Sequence, residues 1–210
     1  MADKPDLDSA YALNAADDNR QFYRDWAASY DEVFVAETSY QLPDMVAATY
    51  LQLAGEWPCL DAGCGTGALG EHLAFGAVVD GVDLSSDMLA VAATKGRYRN
   101  LVEANLKEQL PFDDGEYAGL ISSGTFTHGH VGPEAFDELT RILRSDALAV
   151  ISIKPEVWES HAFGPAFDVL VGKGLITGPE IAEVNVYRDP TMAPDGHGDD
   201  RGLIVTFRKV

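Results

Sequence analysis

One stretch of eight residues concentrates the chemistry of this chain: Leu60-Asp61-Ala62-Gly63-Cys64-Gly65-Thr66-Gly67. Glycines at alternate positions allow a tight turn and let a ligand lie against bare backbone. A second acid, Asp83, stands sixteen residues beyond Gly67 (83 − 67 = 16), at the tip of the apolar run Val78–Val82. A carboxylate there can accept hydrogen bonds from both hydroxyls of a ribose. The lesser alternative is that it simply starts the turn ahead of Ser86. Asp61 discriminates between ligand classes. The segment Gly63–Ala68 also fits the dinucleotide pattern G-x-G-x-x-A. A carboxylate two residues before Gly63 would repel a pyrophosphate in a shielded place and attract a cation. The spacing therefore predicts a ribose-bearing cofactor that carries a cation and no phosphate. An oxidoreductase using NAD(P) is the rival reading.

The elements that must position these residues alternate. Cys59–Ala62, Val78–Val82, Asn100–Ala104, Tyr117–Ser122 and Ala147–Ile153 read as five strands. Ala68–Phe75 and Asp87–Thr94 read as helices, with Ser86 as the cap of the second. Pro133 marks the start of another helix, whose apolar stripe is Phe136, Leu139, Ile142 and Leu143. A further helix is expected within Glu156–Gly172. Glu180–Tyr187 and Leu203–Phe207 read as a closing hairpin around a loop rich in Pro, Gly and Asp. Alternating β and α implies a parallel sheet with right-handed crossovers. The expected fold is one doubly wound, Rossmann-like α/β domain, with a mostly parallel seven-stranded sheet and an antiparallel hairpin at its C-terminal edge. Residues 1–57 read as a helical cap, in which Asp44 caps Met45–Ala54. Residues 58–154 form the cofactor core, and 155–210 the substrate side.

Composition narrows the partners. The chain has 210 residues, 46% apolar and 23% charged, with a formal net charge of −19. Such a field repels nucleic acid and anionic membranes, so neither is expected as a partner. A neutral or cationic small molecule fits better. The two cysteines, Cys59 and Cys64, read as small buried thiols in a reduced compartment. No apolar run approaches bilayer length, and the acidic N-terminus does not resemble a signal peptide. The expectation is a soluble, cytoplasmic protein whose oligomeric state cannot be read. No metal site is expected, because neither His128-Gly129-His130 nor Asp195–Asp200 has a recognised ligand spacing.

Taken together, Leu60–Gly67, Val82-Asp83-Leu84-Ser85 and Leu110-Pro111-Phe112 resemble the class I S-adenosylmethionine-dependent methyltransferases of the small, soluble kind. Arg20–Asp31 resembles that family's N-terminal "YD" segment, and Leu120–Val131 is faintly similar to the Williams–Beuren-region methyltransferase-like group. The resemblance spans residues 20–154. It implies S-adenosyl-L-methionine as cofactor and methyl transfer as activity. Asp61, Gly63 and Gly65 would then contact the methionine end, and Asp83 the ribose. Leu84 and Met88 would pack on the adenine, with Asn105 and Leu106 at its edge. Ser122 and Ser123 would border the reacting methyl, and Tyr23 and Tyr30 would close over the cofactor. Met88 is equally readable as core, and Tyr23, Trp26 and Tyr30 as a packing stripe. The chain departs from the family twice: Asn105 stands where Asp is usual, and Arg144-Ser145-Asp146-Ala147 replaces a Pro-Gly-Gly turn.

Methyl transfer needs alignment and exclusion of water, and a base only when the acceptor must lose a proton. His128, just past the fourth strand, is the candidate base, with Phe126 placed to pack on an acceptor. His128 and His130 also read as ordinary turn residues. Glu156, Trp158, His161 and Phe163 follow the fifth strand and are candidates for the acceptor pocket. A cofactor-binding module without catalysis is the remaining alternative.

Overall fold

The computed structural model describes residues 38–127 and 131–210. Its centre is a seven-stranded sheet in the order β3-β2-β1-β4-β5-β7-β6. The strands are β1 (Cys59–Ala62), β2 (Val79–Asp83), β3 (Asn100–Glu103), β4 (Tyr117–Phe126), β5 (Leu143–Ile153), β6 (Glu180–Asn185) and β7 (Arg201–Arg208). Neighbours among β1 to β5 run parallel. β7 lies antiparallel to both β5 and β6, so the expected edge hairpin is present.

Residue alternation sorts the core onto the two faces. Leu60, Ala62, Leu120 and Val205 point to a cluster with Phe126, Phe136, Phe163 and Phe167. Cys59, Ile121, Val150 and Ile204 point to the other face, against Leu42, Val46 and Tyr50 of the helix Leu42–Gln52. Both faces are covered, which is why β1 and the inner parts of β4 and β5 are buried runs. The sequence order turns back between β1 and β4, and the crevice at their carboxyl ends is the usual ligand position of such sheets.

Several local expectations change. The first described helix begins at Leu42 with Gln41 ahead of it, so Asp44 is not its cap. Asp44 sits in the first turn, where an acid suits the helix dipole, and bonds Arg188 at 2.7 Å. The cap of Ser86–Thr94 is Ser85, whose hydroxyl accepts from the Met88 amide at 3.3 Å. Leu143 belongs to β5 and not to a helical stripe, because the helix Phe136–Arg141 stops before it. Asp146 takes a left-handed φ of 66°, the conformation a turn glycine would otherwise supply. The helix expected within Glu156–Gly172 is two helices, Pro155–Ser160 and Phe163–Gly172, broken at Ala162 with φ 55°.

The largest departure lies behind the glycine loop. In place of a helix over Ala68–Phe75 there is a single 3₁₀ turn, Leu69–His72. Gly70 weakens helix there. Arg97 takes two carbonyls that helix continuation would use, donating to Gly70 O at 2.9 Å and Leu73 O at 2.5 Å.

Candidate functional site

The loop after β1 is pinned from both sides. The amides of Gly63 and Cys64 both donate to Val82 O, at 2.8 and 3.0 Å. Gly63, Gly65 and Gly67 have φ of 71°, 52° and 82°, a region L side chains rarely enter. A Cβ on Gly63 would also collide with the Thr125 side chain. A Cβ on Gly65 would meet nothing within 4 Å, so the space over that backbone is open.

Asp83 closes β2 and holds this loop. Its Oδ2 accepts from the Gly65 amide at 2.8 Å and its Oδ1 from the Ser85 amide at 2.9 Å. The Leu84 amide also bonds this carboxylate, and of its roughly four lone-pair sites one is left to receive a ribose hydroxyl. Burial pushes the Asp83 carboxyl up, and the amides of Ser85, Gly65 and Leu84 oppose the rise.

Asp61 is 1% exposed. Its Oδ2 accepts from the Tyr98 hydroxyl at 2.7 Å. Its Oδ1 is buried with no hydrogen-bond partner among the described residues. Burial pushes this carboxyl up to about 7; the Tyr98 hydrogen bond pulls it down and the nearby Asp83 adds to the rise. Asp61 borders a small cavity of about 50 Å³, walled also by Tyr40, Gly63, Thr66 and Ser123. Burial raises the Tyr40 phenol to about 12, opposed by the Ser123 hydroxyl. A half-satisfied buried carboxylate beside neutral donors is a site for a small cation.

The other expected residues divide. Leu84 is half-buried beside Asp83, while Met88 and Leu106 are buried, with Leu106 in the core cluster. Asn105 Oδ1 accepts from the Lys107 amide at 3.0 Å, and its Nδ2 donates to Glu108 at 2.9 Å, so its side chain first shapes its own turn. The Ser122 hydroxyl donates to Ala62 O at 2.6 Å, a bond that ties β4 to β1 beneath the loop. Phe126 is 1% exposed and stacks on Phe136 at 5.3 Å, so it does not face an acceptor. Phe163 is also in the core, with Trp158 stacked over it, because the helix Phe163–Gly172 turns its aromatic residues to the sheet. Glu156 and His161 are exposed. Tyr23, Tyr30 and His128 lie outside the described residues.

Three participants escaped the sequence reading. Tyr40 belongs to no motif. Thr125 stands three residues before His128, and its hydroxyl donates to the carbonyl of Ala62 or Gly63, at 3.1 and 3.2 Å. Tyr98 has only an indirect signal: Gly70 and Gly81 are glycines that no positive φ requires, and a Cβ on either would press on its ring or hydroxyl.

Residues 60–151 match the methyltransferase domain family. No curated protein matches the chain. Solved structures share its fold at low identity. The [4+2]-cyclase SpnF matches with a TM-score of 0.68 at 17% identity, over 94% of this chain and 97% of that one. A TehB-like S-adenosylmethionine-dependent methyltransferase of Corynebacterium glutamicum matches at 0.54 and 20%, over 93% and 98%. The phosphoethanolamine N-methyltransferase 2 of Haemonchus contortus was solved with phosphomonomethylethanolamine and S-adenosylhomocysteine. It matches at 0.62 and 17%, over 93% of this chain and 59% of that one.

Residues 60–151 thus carry a methyltransferase domain, and the chain shares the fold of solved S-adenosylmethionine-dependent methyltransferases. Among the described residues no helix is long and apolar enough to cross a membrane, and no cluster of metal-ligating side chains occurs.

Proposed function

We propose that the chain methylates a small, neutral or cationic acceptor at the carboxyl edge of β4 and β5. The observation that carries the reading is Asp61 Oδ1, without a partner among the described residues, on a side chain that lines a cavity of about 50 Å³. That oxygen suits the ammonium of a methionine moiety, and the open backbone of Gly65 lets the chain behind it lie close. Asp83 receives a ribose hydroxyl while keeping the loop in shape. Leu84 and Met88 offer apolar surface to the adenine, with Asn105 and Leu106 at its edge. Ser123 and Tyr40 border the methionine end. Bound cofactor supplies a sulfonium-activated methyl group for in-line displacement. The chain's own task is to align donor and acceptor and keep water out. His128 follows β4 and is the residue to take a proton if the acceptor must lose one.

Two features disfavour a dinucleotide. A pyrophosphate would approach a buried acid, and it would lack the helix N-terminus that normally receives it, since only a 3₁₀ turn follows the loop. The charge of −19 favours acceptors without negative charge.

Titration calorimetry should show binding of S-adenosyl-L-methionine and S-adenosylhomocysteine and none of NADH. Transfer of labelled methyl should then be found in a screen of small amines and alcohols. Tight NADH binding without the sulfonium compound would sink the cofactor assignment. Label appearing only in macromolecules would sink the acceptor class.

A further inference from the structure

Tyr98 precedes β3 and touches the loop from behind. Its ring occupies a recess made by three glycines. A Cβ on Gly67 would lie 2.9 Å from the ring, one on Gly70 2.8 Å from the hydroxyl, and one on Gly81 3.1 Å from the ring. Only Gly67 of these has a positive φ. Gly70 therefore has no conformational reason to be glycine, and the space for the Tyr98 hydroxyl is its structural reason. The segment around Tyr98 is held on both flanks. Arg97 donates to Gly70 O and Leu73 O. The Arg99 amide donates to Val79 O at 2.7 Å, while its guanidinium bonds Asp80. An aromatic ring held this firmly delivers its hydroxyl to one place, Asp61 Oδ2 at 2.7 Å.

We propose that Tyr98 is the positioning residue of the cofactor site: its hydroxyl engages one oxygen of Asp61, fixes the carboxylate plane, and leaves the other oxygen facing the cavity for the ammonium. This rests on the reading of Asp61 given above. Burial and the neighbouring Asp61 raise the Tyr98 phenol well above its usual range, so it remains a protonated donor throughout the working pH range. Among the described residues the titratable groups that bear on Asp61 are Tyr98 from the segment before β3, Asp83 at the end of β2, Cys64 in the loop, Cys59 on β1, and Tyr40 across the cavity. Of these, Tyr98 alone donates a hydrogen bond to its carboxylate.

The test is the affinity for S-adenosylhomocysteine as a function of pH in wild type, Tyr98→Phe, Gly70→Ala and Asp61→Asn. Tyr98→Phe keeps the ring that fills the recess and removes only the donor. Its affinity at pH 8 should fall roughly tenfold, the order expected for a hydrogen bond to a charged group. The pH at which binding becomes half-maximal should move upward, because the carboxyl loses the donor that holds its pKa down. Gly70→Ala should reproduce the loss, since its Cβ would press on the Tyr98 hydroxyl and on the ring carbons beside it. Wild-type affinity and midpoint in a folded Tyr98→Phe, with Asp61→Asn impaired, would overturn the positioning role and leave the Asp61 reading intact. Wild-type affinity in Asp61→Asn would overturn both.

Discussion

Two buried aspartates stand on neighbouring strands, and they live in opposite conditions. Leu60 pairs with Asp80 and Asp61 with Gly81 in the β1–β2 register, so the two carboxyls point to opposite faces of the sheet. Both residues are 1% exposed. Asp80 receives Arg99 Nε at 2.9 Å, the Asn100 amide and side chain at 3.0 Å each, and the Tyr117 hydroxyl at 3.0 Å. Burial pushes its pKa up, but the bonds from Arg99 and Tyr117 outweigh it and leave the carboxyl below its ordinary value. Asp61 receives one hydroxyl and is raised to about 7. A fully bonded buried acid is structural: it joins β2, β3 and β4 at the amino end of the sheet. A half-bonded one at the carboxyl end is a cost to the fold, which the proposed binding of a cation would offset.

That contrast can be broken experimentally. Asp80→Ala removes the acceptor of five hydrogen bonds from Arg99, Asn100 and Tyr117 and should destabilise the protein by about 3 kcal/mol in urea denaturation. Affinity for the cofactor should stay within about twofold if the variant folds. A loss confined to affinity would mean that the structural and functional roles have been assigned the wrong way round.

A smaller effect distinguishes the two acids by pH. Asp80, with its lowered pKa, contributes stability that is present above the unfolded value near 3.8 and is lost as pH falls through the folded one. Asp61 behaves oppositely. Its raised pKa means the folded state holds a proton that the unfolded state has released, so its contribution declines as pH rises from 3.8 to about 7. Asp61→Asn lacks this decline. Between pH 5 and 7 it should gain about 2 kcal/mol on wild type, at about 1.4 kcal/mol per pH unit with the slope fading near 7. Parallel stability curves for the two proteins would mean that Asp61 ionises normally.

The same two regions show what a sequence makes legible. The positions of Asp61, the three loop glycines and Asp83 in the fold are readable because each is fixed by local order: strand, turn, then an acid at the next strand's tip. The parallel sheet and its edge hairpin were readable from alternation and apolar runs. The short 3₁₀ turn was not, because Gly70 serves a ring 28 positions away in the chain, and propensity does not weigh that demand. Phe126 and Phe163 were assigned to the acceptor side from their place after a strand. Packing decides such residues, and both turn to the aromatic core. The resemblance puts Ser122 beside the methyl group, while in the fold its hydroxyl is held by Ala62 O, a bond no motif encodes. Tyr98 carries no pattern at all and emerges only when β2 and β3 bring it under the loop.

The most direct measurement is the affinity of wild type and Asp61→Asn for S-adenosylhomocysteine, which keeps the ammonium, taken by calorimetry from pH 5 to pH 8. Wild type should bind more tightly as pH rises toward about 7 and then level off. The Asn variant should be weaker at pH 8 by about 10- to 100-fold, as loss of a charged hydrogen bond predicts, and should show no such rise. Equal affinities at pH 8 would contradict the assignment of Asp61 to the ammonium.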